Sequence, residues 1–504
     1  MDTKALRQKI LDLAVRGKLV PQNPDDEPAS VLLERIGAEK KQMVKDGRLK
    51  AKDIKNDSVI YFKEDNLPYE QFADGTEKCI TDEIPFELPD GWEWCNLSMI
   101  GQTNIGLTYS PKDIAVNGTM VLRSSNIING KLDFTDLVRV NTSIRDNQYV
   151  KENDILICAR NGSKALVGKC AIIRDIKEKA SFGAFMAIYR TPFYEYVYWF
   201  LNSNYFREIF YDSNSTAINQ LTQAMIKSAR IPLPPLSEQK RIADKINELM
   251  GLVDVIEQNK TDLQTAVKLA KEKILDLAMR GQLVPQNPDD EPASVLLERI
   301  RAEKQQLIQQ GKIKPDKKDT VTFTDDELPF ELPDGWEIAS FSHLNFYQSS
   351  SINPLSYPNE YFELFSVPNY ELGIPEIVKG DEIGSTKQSV KDNDVLLCKI
   401  NPRINRVWTV KHITDYNIIA SSEWITFRNP MLFSDYICRY LSAPFFRELL
   451  LTNVSGVGGS LMRAQPDSVK KYPILLPPFN EQKRIADKIN QLFSMLDSIT
   501  EFLN

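Results

Sequence analysis

Histidine and cysteine are scarce in this chain of 504 residues, which has two histidines and six cysteines. The cysteines form no C-x-x-C pair, so we expect no zinc site of the usual His/Cys spacing. Two histidines also leave little material for a histidine-based nucleophilic triad. Sparse, unpaired cysteine in a long chain is typical of a reducing compartment, which predicts a cytoplasmic protein.

Long apolar runs are missing as well. The chain has no stretch of about 18 apolar residues, so we expect no membrane span. The N-terminal sequence MDTKALRQKILDLAVRG lacks the apolar centre of a secretion signal. A hydrophobic content of 42% and a charged content of 26% are ordinary for a globular protein.

The sequence also lacks complete catalytic motifs. LPPF at 476–479 resembles the Asp/Asn-Pro-Pro-Tyr/Phe motif of amino-methyltransferases, but Leu476 cannot accept a hydrogen bond from an amine. GSKALVGKC at 162–170 fails as a P-loop, because Cys170 stands where that loop needs Ser or Thr. We therefore expect a non-catalytic chain that binds no metal and no cofactor itself.

The net charge of −7 argues mildly against nucleic-acid binding, but this charge is unevenly distributed. Residues 102–230 hold 16 basic and 11 acidic side chains, a balance of +5. Residues 346–472 hold 13 of each, which leaves a charge of −12 for the rest of the chain. This distribution is expected if the two segments contact phosphate while the remainder contacts protein.

Three blocks of sequence occur twice, in the same order. LVPQNPDDEPASVLLERI is identical at 19–36 and 283–300, PFELPDGWE at 85–93 and 329–337, and EQKRIADKIN at 238–247 and 481–490. The period is too long for a solenoid, so the chain is a tandem duplication. The segments between the blocks differ, although VKENDILICARNGS and VKDNDVLLCKINPR each predict a turn followed by a buried strand.

A long helix is predicted after Pro234-Pro235, because apolar residues then recur at alternating steps of four and three from Ile242 to Leu277. Lys260 fills the one missing place on this seam. The second copy of the helix stops at Asn504, and Met1 aligns only a few positions further along the unbroken copy. We expect the two chain ends to meet as one broken helix, packed antiparallel to the central helix about a pseudo-twofold axis.

We therefore expect a mixed α/β fold with two globular domains from a tandem repeat, separated by long antiparallel coiled-coil helices. The predicted segments are N-terminal scaffold helices with a charged linker (1–82), a first globular domain (83–236), a central long coiled-coil helix (237–281), a repeated scaffold helix and linker (282–326), a second globular domain (327–479) and a C-terminal coiled-coil helix (480–504).

The chain resembles the specificity subunit of type I restriction–modification systems over essentially its whole length. LPPLSEQKRIADKI (233–246) and LPPFNEQKRIADKI (476–489) carry this resemblance, together with the ENDIL and DNDVL strands and the PFELPDGW blocks. The resemblance implies that each globular domain is a target recognition domain, which reads one half of a bipartite, asymmetric site in double-stranded DNA. It also implies that the helices fix the spacing between the two halves.

The resemblance further implies the partners. Two adenine-N6 methyltransferase subunits would dock on the repeated scaffold, and restriction subunits would join them for cleavage. S-adenosylmethionine, ATP and Mg²⁺ would then be bound by those partner subunits and not by this chain.

Three pairs of polar segments are the candidate DNA contacts. Arginine pairs with guanine and asparagine with adenine in the major groove, while lysine holds phosphate. The loops after the two shared strands contribute Arg160, Asn161, Ser163 and Lys164 in the first domain and Lys399, Asn401, Arg403, Asn405 and Arg406 in the second. Two further segments contribute Arg123, Ser124, Ser125 and Asn126, and then Asn219, Gln220 and Gln223 opposite Ser460, Arg463 and Gln465. The alternative is that these are solvated loop residues.

Two features of the repeats remain open between interpretations. The EPASVLLERI helix has an apolar stripe that packs either on the chain's own domains or on the methyltransferase; it comprises Val31, Leu32 and Ile36 and their counterparts Val295, Leu296 and Ile300. The tryptophans of the PFELPDGWE blocks, Trp92 and Trp336, favour packing at the entry of each domain over a ligand site.

Two other classes of function compete with a DNA reader. A coiled-coil adaptor that binds no nucleic acid would account for the helices, but not for the basic first segment or the divergent polar loops. A self-sufficient enzyme, such as a fused methyltransferase, would need the catalytic motifs that are incomplete here. Salt-sensitive binding to DNA would exclude the adaptor, and a lack of cofactor binding would exclude the self-sufficient enzyme.

Overall fold

The computed structural model describes residues 2–51, 54, 57–65, 67–72, 75–212, 220–315, 323, 330–456 and 462–503. The chain forms two compact units, Met1–Asn259 (unit 1) and Lys260–Asn504 (unit 2). Each unit contains one copy of every repeated block. Both units mix helices and strands, as the tandem repeat predicts.

Unit 1 combines scaffold helices with a domain of short strands. Its helices are α1 (Thr3–Val15), α2 (Ala29–Lys45), α3 (Leu97–Ile100), α4 (Tyr194–Asn202), α5 (Asn204–Asp212), α6 (Gln223–Ser228) and the first part of α7 (Leu236–Met279). Its strands are β1 (Ser58–Phe62), β2 (Pro68–Phe72), β3 (Glu77–Cys79), β4 (Glu93–Asn96), β5 (Gln102–Ile105), β6 (Ile114–Leu122), β7 (Ile127–Ile128), β8 (Lys131–Leu132), β9 (Val138–Val140), β10 (Ile155–Cys158), β11 (Cys170–Ile172), β12 (Ala180–Phe182), β13 (Met186–Arg190) and β14 (Arg230–Leu233).

Unit 2 begins within α7 and repeats this order with a different set of strands. Its further helices are α8 (Ala293–Gln309), α9 (Phe341–Leu344), α10 (Ser434–Ser442), α11 (Pro444–Thr452), α12 (Pro466–Val469) and α13 (Phe479–Leu503). Its strands are β15 (Glu337–Ser340), β16 (Ser351–Ile352), β17 (Tyr361–Phe365), β18 (Glu376–Lys379), β19 (Lys387–Ser389), β20 (Val395–Cys398), β21 (Val407–Thr409), β22 (Asn417–Ala420), β23 (Trp424–Phe427), β24 (Val454–Ser455), β25 (Arg463–Ala464) and β26 (Pro473–Leu476).

The two globular domains share a central antiparallel motif. In unit 1, β10 lies between β11 and β13, and in unit 2, β20 lies between β21 and β23. The predicted strands ILIC and VLLC are these central strands, and every residue in them is buried. A second sheet in each domain contains a parallel pair, β6 with β12 and β17 with β22.

A short shared motif explains why each central strand begins where it does. Asn153 and Asn393 both adopt a left-handed conformation, with φ of 67°, which asparagine tolerates better than most residues. The next residue, Asp154 or Asp394, is buried and pairs through both carboxylate oxygens with an arginine at 2.6–2.7 Å. This arginine is the last residue of the neighbouring strand in unit 1 (Arg190) and the first residue after it in unit 2 (Arg428). A buried carboxylate needs such a partner, so the sequence Asn-Asp fixes the turn and the strand together.

The chain enters and leaves each globular domain at one place. β4, directly after the first PFELPDGWE block, pairs antiparallel with β14, which precedes Pro234-Pro235. β15 and β26 make the same pair in unit 2. Each domain is therefore closed by a two-stranded ribbon, and its interior can vary without moving the point of attachment.

The three repeated blocks meet at one cluster in each unit, which we call the repeat junction. In unit 1 it is built from Asp26, Trp92, Glu238 and Arg241. The Trp92 indole N–H donates to Glu238 Oε2 at 3.0 Å, and Arg241 Nη2 donates to Asp26 Oδ2 at 2.7 Å. Each of these four side chains comes from a repeated block, so every block contacts another.

The repeat junction of unit 2 has the same contacts. Trp336 Nε1 donates to Glu481 Oε2 at 3.2 Å, and Arg484 Nη2 donates to Asp290 Oδ2 at 2.6 Å. Trp92 and Trp336 are 5% and 4% exposed, which confirms that they pack at the domain entry. A change in one block would leave a buried polar group without its partner in another, which is a physical reason for the blocks to stay identical.

The scaffold helices pack antiparallel within each unit. In unit 1, Arg7 of α1 contacts Asp254 and Glu257, while Gln22, further along the chain, contacts Glu238, earlier in α7. In unit 2, Lys271 of α7 pairs with Asp497 of α13, and Asp290 pairs with Arg484. The prediction that the chain ends meet concerns Met1 and Asn504, which lie outside the described residues.

The helix α7 is 44 residues long and carries the predicted heptad seam. Ile242, Ile246, Val253 and Val267 on this seam are buried. Leu263 is 40% exposed, so the prediction is wrong at this position. In this antiparallel pair Lys271 lies beside Asp497, and the six described residues after Asp497 reach only to about position 265 of α7, short of Leu263. Of the helices in the described part of the chain, none has the length and apolar character that crossing a membrane requires.

The segment predicted as a charged linker in unit 1 contains a three-stranded sheet, β1–β2–β3. Its central carboxylate, Glu70, is 2% exposed and accepts hydrogen bonds from Ser58, Asn96 and Arg230 at 2.6–2.7 Å. Arg230 belongs to β14, so this sheet is attached to the ribbon that closes the first globular domain. The alternation of charged and aromatic residues here is a strand pattern that the overall charge conceals.

The apolar stripe of the EPASVLLERI helix is divided between the interior and the surface. Leu32, Leu296 and Ile300 are 5%, 3% and 0% exposed, so they pack on their own unit. Val31 and Val295 are 44% and 40% exposed. Each repeated helix therefore leaves the same valine on the surface.

The repeat junction leads to a prediction about stability and pH. Burial raises the pKa of Glu238 and Glu481, although the tryptophan N–H lowers it in part. Because the folded pKa is raised, the stabilising contribution of the carboxyl group is complete below its unfolded pKa and is lost as the pH rises through the folded pKa. The double variant E238Q/E481Q keeps an acceptor without this titration, so its urea midpoint should fall less than that of the wild type as the pH rises from about 4, near the ordinary pKa of glutamate.

The matched variant W92F removes the donor and leaves the buried carboxylate oxygen unsatisfied. It should lower the free energy of unfolding by about 2 kcal/mol in the same urea titration. Equal stability of W92F and the wild type would contradict the role assigned to this hydrogen bond, and an unchanged pH dependence in E238Q/E481Q would contradict the raised pKa of the two buried carboxyl groups.

Candidate nucleic-acid interface

The loop after β10 is fixed on both sides by backbone hydrogen bonds. The N–H groups of Ala159 and Arg160 donate to the carbonyl oxygen of Phe185 at 2.9 and 3.0 Å. On the other side, Leu221 N–H donates to Ala159 O at 2.7 Å, and Arg160 forms an antiparallel bridge with Gln220. Two of the predicted polar segments therefore meet here, and the backbone holds the Arg160 side chain at a defined place.

An open cleft of about 1030 Å³ lies beside this loop. It is bordered by residues of 107–114, 123–125, 160–162 and 183–186. Five of the predicted contact residues line it: Arg123, Ser124, Ser125, Arg160 and Asn161. Asn161 Nδ2 donates to Ser124 Oγ at 3.1 Å and joins the two segments across the cleft.

The two arginines of the cleft differ in how much of their charge is available. The Arg160 side chain is exposed, and its guanidinium carbon lies 5.4 Å from the centroid of the Phe185 ring. Arg123 Nη2 is 2.7 Å from Asp136 Oδ2, so part of its charge is neutralised. Cation–π contact uses the face of a guanidinium and leaves its in-plane N–H donors for other partners. Arg160 is therefore the better placed of the two for contact with a base.

Asn126 supports the interface from inside. It is 1% exposed, its Oδ1 accepts from Arg123 N–H at 2.9 Å, and its Nδ2 donates to the carbonyls of Asp133 and Asp136 at 3.0 and 2.8 Å. Every polar atom of this side chain is thus engaged within the domain. The structure assigns Asn126 to shaping the turn that carries Arg123.

The remaining predictions in unit 1 lie around the cleft. Ser163 and Lys164 are exposed, and Ser163 N–H donates to Asn161 Oδ1 at 3.0 Å. Gln223 begins α6, and its Nε2 donates to Thr103 O at 3.1 Å. Asn219 lies outside the described residues, as does Ser460 in unit 2.

The corresponding loop of unit 2 has the same backbone frame. Lys399 N–H donates to Glu423 O, and Ala464 N–H donates to Lys399 O, both at 2.9 Å. Ile400 forms an antiparallel bridge with Arg463. Arg463 Nη2 lies 3.3 Å from Glu423 Oε1, and its side chain is 54% exposed. The Lys399 ammonium group donates to Ser422 O.

The rest of this loop is a tight turn with mixed exposure. Asn401 and Asn405 adopt left-handed conformations, with φ of 48° and 51°. Asn405 is 8% exposed and donates to Leu441 O at 2.8 Å, so, like Asn126, it has a role in the interior. Arg403 is exposed, whereas the side chain of Arg406 is largely covered and lies 3.6 Å from Glu371. Gln465 donates to Ser455 Oγ at 2.5 Å.

Sequence reasoning missed one wall of the cleft, which includes Tyr109 and Phe185. Gly106 and Gly183 bring this wall close, because a Cβ atom at Gly106 would lie 2.2 Å from the carbonyl oxygen of Gly183. Phe185 is 61% exposed, an unusual exposure for an aromatic side chain. The two glycines were the available signal, but no local pattern shows that they pack on each other.

Comparisons with known proteins agree with this architecture. A family model described as the type I restriction modification DNA specificity domain matches residues 89–265. The EcoEI type I restriction enzyme specificity subunit of Escherichia coli is 28% identical over 98% of this chain and 90% of its own length. The EcoKI specificity subunit of Escherichia coli (strain K12) is 26% identical over 83% of this chain and 85% of its own length.

A solved structure shares the fold. It comes from work on the complex assembly and conformational transition of the type I R-M system, and it aligns with a TM-score of 0.57 at 16% identity, over 83% of this chain and 94% of that chain. This similarity concerns the fold alone. In its matched domain and along nearly its whole length, the chain is similar to the specificity subunits of type I restriction–modification systems.

Proposed function

We propose that this chain gives a type I restriction–modification complex its DNA sequence specificity, and that each globular domain reads one half of a bipartite, asymmetric site. The observation that carries the proposal is the common backbone frame of the two loops, which holds different polar side chains in each unit. A constant frame with variable side chains suits two ligands of the same chemical class. Two different half-sites in double-stranded DNA are such a pair.

The exposed side chains of the frame have the chemistry for base reading. Arg160 in unit 1, and Arg403 and Arg463 in unit 2, present donors that suit the major-groove edge of guanine. The half-buried Asn161 would have to release Ser124 to read adenine. Lys164 and Lys399 suit phosphate. Asn126 and Asn405 are left out of the proposed contact set, because their amides are buried and engaged within the chain.

The repeated surface suits two copies of one partner. Both units present the same scaffold helix, with Val31 and Val295 exposed at equivalent places. On this proposal, two adenine-N6 methyltransferase subunits dock on the repeated scaffold, the helices set the spacing between half-sites, and restriction subunits join the assembly. S-adenosylmethionine, ATP and Mg²⁺ are bound by those subunits, and this chain is non-catalytic.

Methylation mapping tests the proposal. The chain is expressed with its methyltransferase subunit, and N6-methyladenine is mapped across the host genome by single-molecule sequencing. The expected result is a split, asymmetric motif with a gap of constant length. A continuous motif, or one that persists when this chain is omitted, would refute the proposal and return attention to an adaptor that binds no DNA.

Alanine variants distinguish residues that contact DNA bases from residues that stabilise the fold. R160A should weaken binding of the complex to its cognate duplex by about 1–3 kcal/mol in a fluorescence titration, because one base contact is lost, and should leave thermal unfolding unchanged. N126A should instead lower the free energy of unfolding by about 2 kcal/mol, because it removes the three hydrogen bonds that this buried side chain makes.

The matched control is R174A. Arg174 is also exposed and pairs with Glu195 at 3.2 Å, but it does not line the cleft. R174A should bind the cognate duplex as the wild type does. Equal losses of affinity in R160A and R174A would show that any surface arginine attracts DNA to the same extent. That result would count against recognition of bases by residues of the cleft.

A further inference from the structure

One position is equivalent in the two units but holds an apolar aromatic residue in unit 1 and an acidic residue in unit 2. Phe185 directly precedes β13, and Glu423 directly precedes β23. Each offers its carbonyl oxygen to the loop after the central strand: Phe185 O accepts from Arg160 N–H at 3.0 Å, and Glu423 O accepts from Lys399 N–H at 2.9 Å. The two side chains therefore start from the same place in the frame.

An arginine occupies the adjoining bridge in both units, but on opposite partners. In unit 1 the bridge joins Arg160 to Gln220, so the arginine lies on the loop after the central strand. In unit 2 it joins Ile400 to Arg463, so the arginine lies on the opposite segment. Each bridge thus presents one guanidinium, although the sequence position that supplies it has changed.

The residue at the equivalent position contacts that guanidinium in both units. The Phe185 ring centroid is 5.4 Å from the guanidinium carbon of Arg160. Glu423 Oε1 is 3.3 Å from Arg463 Nη2. The Phe185 side chain is 61% exposed, so burial of the ring does not explain its presence there. An exposed arginine loses rotamer freedom when it binds, and a neighbour that already restrains it lowers this cost.

We propose that Phe185 and Glu423 are positioning residues that direct the single guanidinium of each bridge at the DNA. This inference rests on the proposed function and adds residues that determine how each half-site is read. In unit 1 the ring restrains Arg160 without neutralising its charge, so its N–H donors remain available for bidentate contact with a base. In unit 2 the carboxylate restrains Arg463 and offsets part of its charge, which weakens its attraction to phosphate; its side chain is 54% exposed and keeps N–H donors that can reach a base edge.

The test in unit 1 is a double-mutant cycle with the assembled methyltransferase complex and a duplex that carries the motif found by methylation mapping. F185L removes the ring and keeps an apolar side chain. It should raise KM for DNA roughly two- to fivefold and leave kcat unchanged. In the R160A background, F185L should cause no further rise in KM. In the otherwise wild-type chain, F185W keeps an aromatic ring and should have the wild-type KM.

The test in unit 2 measures the salt dependence of binding. E423Q frees the charge of Arg463 for phosphate, so log K against log salt concentration should become steeper by about 0.9, and discrimination against base changes in the second half-site should fall. D381N is the matched control, because Asp381 also pairs with a basic side chain in unit 2, Lys379 at 3.3 Å. D381N should leave both quantities unchanged.

The outcomes separate this inference from the proposed function. If the wild-type complex shows no preference for the mapped duplex, the proposed function fails, and this inference fails with it. If R160A loses affinity but F185L does not, only the positioning role of Phe185 is overturned. A loss from F185L that persists in the R160A background would show that the ring contacts DNA directly, and a salt slope unchanged in E423Q would overturn the role of Glu423.

Discussion

The hydrogen bond from Trp92 to Glu238, with its counterpart from Trp336 to Glu481, joins the start of each globular domain to the long helix that follows it. Both carboxyl groups are 1% exposed, so each needs hydrogen-bond donors within the protein, and the tryptophan N–H supplies one in each unit. The ion pairs of Asp26 and Asp290 add the third repeated block to the same cluster. The place where each domain sits on its scaffold follows from this small set of buried polar contacts.

The repeat junction separates the repeated blocks, which must stay constant, from the loops of the globular domains, which can vary. A domain closed by a two-stranded ribbon at its base can change its loops without disturbing the junction. Inside each domain, the Asn-Asp turn, with its buried aspartate and half-buried arginine partner, keeps the central strand in place. Variation then falls on the side chains that the frame presents, which is what a protein that reads different sequences from one architecture requires.

Much of this frame could be predicted from the sequence. The heptad spacing of α7, the two buried strands and the tandem repeat all depend on local patterns, and the structure has them. The positions of Trp92 and Trp336 followed from their repetition before each domain. Local periodicity and repetition are visible along the chain, so these elements needed no knowledge of distant contacts.

The missed features depend on contacts between residues far apart in the sequence. Phe185 joins the cleft only because Gly106 and Gly183 approach each other, and Asn126 is buried only because a later turn covers it. The strands β1–β3 were not predicted, because the high charge of this segment indicated a linker. Glu70 in this sheet is buried and pairs with Arg230, which lies far away in the sequence. Leu263 follows the heptad, but its exposure depends on where α13 ends. Such pairings cannot be read from the spacing of residues alone.

The measurement that tests the central claim most directly is an exchange of the two variable segments within this chain. Residues 102–230 and 346–472 would trade places, while every repeated block stays where it is. If the repeat junctions are equivalent, related by the expected pseudo-twofold axis, and the segments recognise their half-sites independently, the exchange equals a half-turn of the protein on the duplex. The exchanged protein should then methylate the same split motif with the same gap length. A different motif, or a changed gap length, would contradict that account.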